Sequence, residues 1–460
     1  MKLDVQISGK TVAQLYRARD EYVLKYLPDT HLADFVSLTM PVRDEPWRWP
    51  RDLHPFFRQN LPEGYLLNII REEFGPLLDG TDLSLLAVVG GTGIGRVTVT
   101  PEGGKLGGEM APLQIESLLK AENTTEHFAS LVRRYARASI SGVIPKFLAP
   151  EDTLDEAQGA LGPLGKPTLR THRHIIKGSD DSTPYLGFNE YYSMRVLERL
   201  NVVPVARTRM SDDGRILVVE RFNVDEQGMP THGLEDACGL LGLPPHEKYA
   251  TTTEKVLNAT RAYLPPAQVR AQLEQFGWHV LTNYVVRNAD CHAKNIALHY
   301  TRLGDVVFTP VYDIVTTQAY PRYANNPPGL SIDGRQTWAA GKALQRFFTA
   351  RLGISPREYA DMVERLCESA VEVGTEVIEA AMNESRWRPL AKQMVHAWNE
   401  GMASLRDPKK SASFRGLDAA IAAAGFSDAE PPEQPRVVIG RSELIGRERD
   451  LMGHCRADRA

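Results

Sequence analysis

Cysteine is scarce in this chain of 460 residues. Cys238, Cys291, Cys367 and Cys455 are far apart, with no CxxC pair and no Cys/His cluster. That spacing argues against a structural zinc site. Scattered single thiols fit a reducing, cytoplasmic compartment. Long apolar runs are missing as well. No stretch approaches the roughly 20 apolar residues that span a bilayer, and the opening MKLDVQISGK carries charge where a signal peptide would be apolar. A soluble protein without membrane association is expected. Charge of one sign is also lacking: 54 basic residues face 58 acidic ones, a net −4. That balance gives no general pull toward nucleic acid or anionic lipid. No internal repeat is visible.

What is present is ample core material, 42% hydrophobic residues, over a length that suits two or three structural units. Residues 1–108 read as an α/β module. Leu3, Val5 and Ile7 alternate with polar residues as a half-buried strand does, and Ser8-Gly9-Lys10 turns the chain into a hairpin. In HPFFRQNLPEGYLLNIIREEF the opening residues read as loop, with a helix after Pro62. Gly90–Gly104 is glycine-rich, but Arg96 stands where GxGxxG needs its third glycine, so these glycines read as turn and short strand. Residues 110–137 read as helical and 150–168 as an exposed loop. HIIK is a strand, and Asn189 is placed as the cap of the helix after it. From about 230 the pattern is mainly helical. Ser355-Pro356-Arg357-Glu358 forms a capping box, and Tyr359, Met362, Val363 and Leu366 mark a buried stripe. Beyond 407 come a short Ala-rich helix, a Pro-rich linker and a charged end expected to be mobile or ordered by a partner.

The chemistry concentrates in Arg287-Asn288-Ala289-Asp290-Cys291-His292-Ala293-Lys294-Asn295, followed by Asp313 in TPVYDIV. Phosphoryl transfer from ATP needs a carboxylate for the hydroxyl proton, oxygen ligands for Mg²⁺ and a fixed cation on the phosphates. Protein kinases carry an Asp, an Asn five residues on, and a second Asp on the following hairpin. Asp290, Asn295 and Asp313 reproduce that spacing, with IALHY and DVVFTP as the hairpin strands. Lys177 ends the HIIK strand and is the candidate cation, with Glu190 as its partner. Val218–Phe222 is the candidate hinge, its backbone set to bond an adenine edge and Phe222 to pack on the base. His292, with no metal or nucleophile partner in view, reads as a structural histidine. Asp-x4-Asn alone is common, so the weight rests on order: lysine strand, helix, hinge, Asp/Asn loop, strand Asp. Ala289 replaces the usual Arg and Ile314 the usual Gly, so this is no ordinary eukaryotic-type kinase.

With these residues in place, the chain resembles the HipA family of bacterial serine/threonine kinase toxins of type II toxin–antitoxin systems. The resemblance runs over roughly residues 1–405, through DVQISGKTVAQL, MPVRDEPW, HPFFRQNLPEG, SISGVIPK, HIIK, the NEYY helix, VVERF, LEDACGLLGL, NADCHAKN and TPVYDI. It implies an α+β, HipA-like kinase fold with a mixed α/β N-terminal lobe and a mainly helical C-terminal lobe. The expected divisions are a HipA N-terminal subdomain at 1–108, an N-lobe portion at 109–228, a helical lobe at 229–406 and a tail at 407–460. It implies Asp290 as catalytic base, Asn295 and Asp313 as Mg²⁺ ligands, and Lys177 on the ATP phosphates. Glu220 and Phe222 would flank the adenine. Ser141, Gly142, Val143, Ile144, Pro145 and Lys146 would form the phosphate loop. Ser139 matches the serine that the family autophosphorylates, with Ser141 a second candidate; the added charge would expel the loop and silence the enzyme. Ile144 stands where the family often has Gln, and Gly239 where a polar residue is common. The resemblance further implies a HipB-like DNA-binding antitoxin as partner, contact with DNA only through it, and an aminoacyl-tRNA synthetase as substrate.

Two other readings are open from the sequence. One is a degenerate kinase fold that docks an antitoxin and assists repression. The other is a small-molecule phosphotransferase, against which the long N-terminal module and the SISG segment argue.

Overall fold

The computed structural model describes residues 1–62, 67, 70–72, 75, 78–104, 114–128, 130–131, 168–171, 173–338, 341–406 and 416–426. The expectations placed on Ser139 through Lys146, on all of the 150–168 loop but Thr168, and on the 407–460 tail apart from 416–426 lie outside these residues; Thr168 is not loop but the first residue of a strand.

The first hairpin forms where expected. β1 (Lys2–Ile7) returns as β2 (Lys10–Ala18) through Ser8 and Gly9. Both turn residues have positive φ, 50° and 78°, the sense that matches strand twist. β3 (Glu21–Tyr26), β4 (Trp47–Pro50) and β5 (Val97–Pro101) complete an antiparallel sheet in the order β4-β3-β2-β1-β5. The alternation in β1 predicts one wet face, but Asp4 and Gln6 are buried too. β1 sits between β2 and β5, and each polar side chain finds a partner. Asp4 accepts from the Gly103 N–H at 2.9 Å, and Gln6 donates to Thr100 Oγ1 at 3.2 Å. Pairing of this kind removes most of the penalty for burying a polar group. The helix Asp82–Val89 packs beside β5 and is capped by Thr81, which accepts from the Ser84 N–H.

The stretch beginning at His54 corrects the sequence reading. A short helix, Pro55–Arg58, starts before Pro62, because His54 caps it through Nδ1 and Pro55 supplies a helical φ at the first position. In the stretch after Pro62, residues 67 and 70–72 are helical, and the rest falls outside the described residues.

A second antiparallel sheet has the order β6-β7-β9-β8, from β6 (Thr168–Arg170), β7 (His174–Gly178), β8 (Thr208–Met210) and β9 (Ile216–Glu220). The helix Leu186–Glu198 lies against it. Asn189 is inside this helix and does not cap it: Tyr185, at φ 53°, holds the start. The Asn189 amide is fully buried and bonds both backbone groups of Thr316, tying the helix to the segment after Asp313. A third sheet, β10 (Gly233–Asp236), β11 (Ala297–Tyr300) and β12 (Val307–Phe308), contains the expected hairpin after Asn295. Helices Val269–Val285, Pro356–Asn383 and Arg388–Leu405 then form the helical side. The predicted capping box at Ser355 is present, and Tyr359, Met362, Val363 and Leu366 are buried on the stripe it opens. The Ala-rich helix forms at Asp418–Ala423.

Glu235 on β10 joins the N-terminal sheet module to the rest. Its buried carboxylate accepts from the Leu38 N–H at 2.6 Å, Ser37 Oγ at 2.7 Å and the Tyr300 hydroxyl at 2.6 Å. Burial lifts its pKa from 4.5 to about 7, against the pull of these donors. The folded state therefore holds this proton more tightly than the unfolded chain. Stability from this group is full below pH 4.5 and is lost as pH rises through about 7. A shift of this size corresponds to about 3 kcal/mol. Glu235→Gln, measured by urea unfolding at pH 4.5 and 7.5, is expected to lose that decline. An unchanged pH slope in the variant would show that Glu235 does not set it.

Candidate active site

Lys177 projects from β7, and its amine stands between two carboxylates. Nζ is 2.5 Å from Glu190 Oε1 and 2.6 Å from Asp313 Oδ1. Glu190 comes from the helix Leu186–Glu198 and is 1% exposed; the Lys177 side chain is 12% exposed. A charged pair this deep needs its geometry held from both sides, and the sheet and helix supply that. The other Asp313 oxygen accepts from the Asn295 amide. Asp313 itself sits at φ 62°, in the left-handed region that few non-glycine residues enter and that Asp tolerates better than most.

Asp290 lies on the loop before Asn295. Its N–H donates to Asn288 Oδ1 at 3.0 Å, and the Asn288 amide donates to the Asp313 carbonyl at 3.3 Å and to Asn283 Oδ1 at 2.7 Å. Asn288 thus links the two aspartates, and it is braced by the helix Val269–Val285. Thr317 clamps the same loop, accepting from the Ala289 N–H and donating to the Arg287 carbonyl. Gly329 passes beneath: a Cβ there would fall 2.4 Å from the Cys291 carbonyl oxygen and 2.8 Å from that of Ala289. Burial pushes the Cys291 thiol up to about 12, with the charges of Asp290 and Asp313 adding to the effect, so it stays protonated and inert. The Asp290 carboxylate receives the hydroxyl of Tyr249.

Beside Lys177 opens a cleft of about 840 Å³, part of it open to solvent. Its apolar lining includes Ile94, Ile175, Met194, Val219, Phe222 and Tyr312. Phe222 and Tyr312 face each other across 6.1 Å at 33°. Tyr312 is fixed by a hydrogen bond from its hydroxyl to the Lys294 carbonyl at 2.9 Å. Glu220 lines the same cleft at the end of β9, but its carboxylate is half exposed and points within 3.8 Å of Arg207.

Lys177, Glu190, Glu220, Phe222, Asn295 and Asp313 are thus brought to one place, with Asp290 one bridging side chain away. Sequence reasoning missed the contribution of the N-terminal module. Gln59 and Asn60 also line the cleft. Gln59 bonds the Leu234 carbonyl and the Asp236 N–H, and Asn60 accepts from the Ile94 N–H. Arg221, within the candidate hinge, and Asn223, just past it, donate to the Ile94 carbonyl. The glycine-rich stretch at 90–104 is turn and strand as expected, yet it sets Ile94 into the cleft wall. HPFFRQN carried the Gln59 signal only as part of the family resemblance. Asn288 stood inside the quoted motif without a role.

Among the described residues no three His, Cys, Asp or Glu side chains could hold a metal by themselves. No helix among them is long and apolar enough to cross a membrane.

Comparison with known proteins gives the same picture. The HipA-like C-terminal domain family matches residues 138–373 and the HipA N-terminal domain family residues 3–100. Y4mE of Sinorhizobium fredii, a kinase by name, is 28% identical over 350 residues, 69% of this chain and 78% of its own. A Haemophilus influenzae protein, also a kinase by name, is 24% identical over 169 residues, 33% of this chain and 48% of its own. HipA of Shewanella oneidensis, solved with HipB and operator DNA, superposes with a TM-score of 0.62 at 18% identity, covering 88% of this chain and 96% of that one. That likeness shows a shared HipA-like kinase fold. With the C-terminal family model alone spanning more than half of its length, this chain belongs to the HipA family.

Proposed function

We propose that the protein is an ATP-dependent serine/threonine protein kinase that acts as a growth-inhibiting toxin. The observation that carries this reading is the Glu190–Lys177–Asp313 ion pair beside an apolar cleft. A lysine so fixed can brace nucleotide phosphates without searching for its position. The cleft walls suit a flat base, with Phe222 and Tyr312 at one side. The Glu220 N–H is taken by the Arg207 carbonyl and the Arg221 N–H by that of Arg173, so we assign the hinge donor to the N–H of Phe222. Asp313 and Asn295 offer a carboxylate and an amide oxygen, the hard donors that suit Mg²⁺ when substrate phosphates complete the shell. The Asn295 oxygen accepts from the His292 N–H at 3.0 Å and has a second lone pair. Mg²⁺ bound there would neutralise phosphate charge as the bond to the leaving group breaks. Asp290 takes the acceptor hydroxyl proton as its oxygen meets the γ-phosphorus.

The resemblance to HipA supports a HipB-like DNA-binding antitoxin as partner, with DNA reached through it, and an aminoacyl-tRNA synthetase as the substrate class. Self-inactivation by autophosphorylation is assigned to Ser139 or Ser141, on the loop that includes Gly142, Val143 and Lys146, outside the described residues.

The test is incubation of the purified chain with γ-labelled Mg-ATP, followed by intact mass and peptide mapping. The expected result is one phosphate on the peptide bearing Ser139 and Ser141, absent in Asp290→Asn. Unphosphorylated protein that neither binds Mg-ATP nor gains label would instead mark an antitoxin-docking module. Label passing to small alcohols in preference to proteins would mark a small-molecule phosphotransferase.

A further inference from the structure

Tyr249 is on the loop between the short helices Ala237–Leu240 and Thr253–Arg261, in a stretch with no recognisable motif. Its hydroxyl donates to Asp290 Oδ1 from 41 positions away. The contact is supported on both sides. The Tyr249 ring meets the His292 ring edge-on, with centroids 5.0 Å apart and planes at 77°. The Lys248 carbonyl accepts from the Ala293 N–H at 3.1 Å, so the segment is stitched to the Asp290–Asn295 loop by backbone as well as side chain. Burial, and then the charge of Asp290, raise the phenol's pKa, so it remains a donor at any working pH.

A carboxylate turns about a terminal torsion with broad, two-fold preference. The backbone of Asp290 is held through Asn288, but that bond does not orient the carboxylate plane. The phenol does. A carboxylate has about four lone-pair sites, and the phenol takes one of them. We propose that Tyr249 is a positioning residue: it fixes the Asp290 carboxylate in the orientation that receives the acceptor's proton. This rests on the reading of Asp290 as the base, and the experiment separates the two.

Tyr249→Phe removes one oxygen and keeps the ring against His292. The expected result is a fall in kcat on the order of 10–100-fold, the scale of a base displaced by about 1 Å. The KM for Mg-ATP stays within about twofold, because Tyr249 is not in the nucleotide cleft. A thermal melt reports any general loss of fold. The decisive measurement is the double variant Tyr249→Phe/Asp290→Asn, followed over hours by labelled phosphate to capture its residual rate. If the phenol acts through the carboxylate, the double variant is no slower than Asp290→Asn alone. A double variant slowed by the full product of the two single effects overturns the proposal. So does a wild-type kcat in Tyr249→Phe when Asp290→Asn is inactive; there the base assignment survives and only the role of Tyr249 falls. Undiminished transfer by Asp290→Asn overturns both.

Discussion

Asp290→Asn is expected to remove phosphoryl transfer and to leave the fold nearly untouched. Asn has almost the same volume, and its amide oxygen can still accept from Tyr249. The backbone bond from Asp290 N–H to Asn288 Oδ1 does not involve the side chain, so the link to Asp313 persists. What disappears is proton affinity. A positioned general base contributes about 10²–10⁴-fold, and the transfer rate is expected to fall by that amount. Mg-ATP binding should remain, because Lys177, Asn295 and Asp313 are unchanged. The check combines single-turnover transfer of label, nucleotide titration and a thermal melt. A rate within tenfold of the parent, in a protein that binds nucleotide normally, would exclude Asp290 as the base.

Lys177→Met should be worse for the molecule as a whole. The amine faces both Glu190 and Asp313, and Glu190 is 1% exposed. Removing the cation takes the ion-pair partner from a buried carboxylate, a loss of about 3–5 kcal/mol in comparable pairs. Catalysis should fall on the order of 10²–10³-fold as well, since a fixed charge aimed at the transferred group is lost. The two effects can be separated. Lys177→Met/Glu190→Leu removes both ends of the buried pair and should regain most of the stability without regaining transfer. Denaturant unfolding and label transfer, measured on both variants, decide it. A double variant as unstable as the single one would mean that the pair is not what Lys177 contributes to folding.

Much of this site was legible before any coordinates because its chemistry is written in order. Lys177, Glu190, Asp290, Asn295 and Asp313 occur in the succession that a two-lobed kinase requires; the structure joins four of them directly and Asp290 through Asn288. The strands were legible where a turn announced them, as at Ser8-Gly9. Local chemistry misled where a distant partner decided the outcome. Asn189 has a cap-forming side chain, but Thr316, 127 positions away, takes it into the core. Asp4 and Gln6 look like a solvent face until β5 arrives from residue 97 onward. Gln59, Asn60 and Tyr249 could not be found at all by spacing, since their partners are set by how the modules dock. Polar side chains in loops carry no periodic signal, and only the packed chain shows what they bond.

The joint between the N-terminal sheet and the rest bears on when the protein becomes competent during its own synthesis. Gln59 reaches across 177 positions to the Asp236 N–H, and Arg96 across 205 to the Thr301 carbonyl. At ribosomal speeds of 5–20 residues per second, the second of these closures waits about 10–40 s after its first half emerges. The sheet module can fold in that interval, while one wall of the cleft stands without the other. Asp290, Asn295 and Asp313 leave the ribosome later than most of the wall they face. The growing chain therefore has no complete cleft until Asp313 has been made. Until then the candidate site lacks at least one of the two carboxylates that hold Lys177.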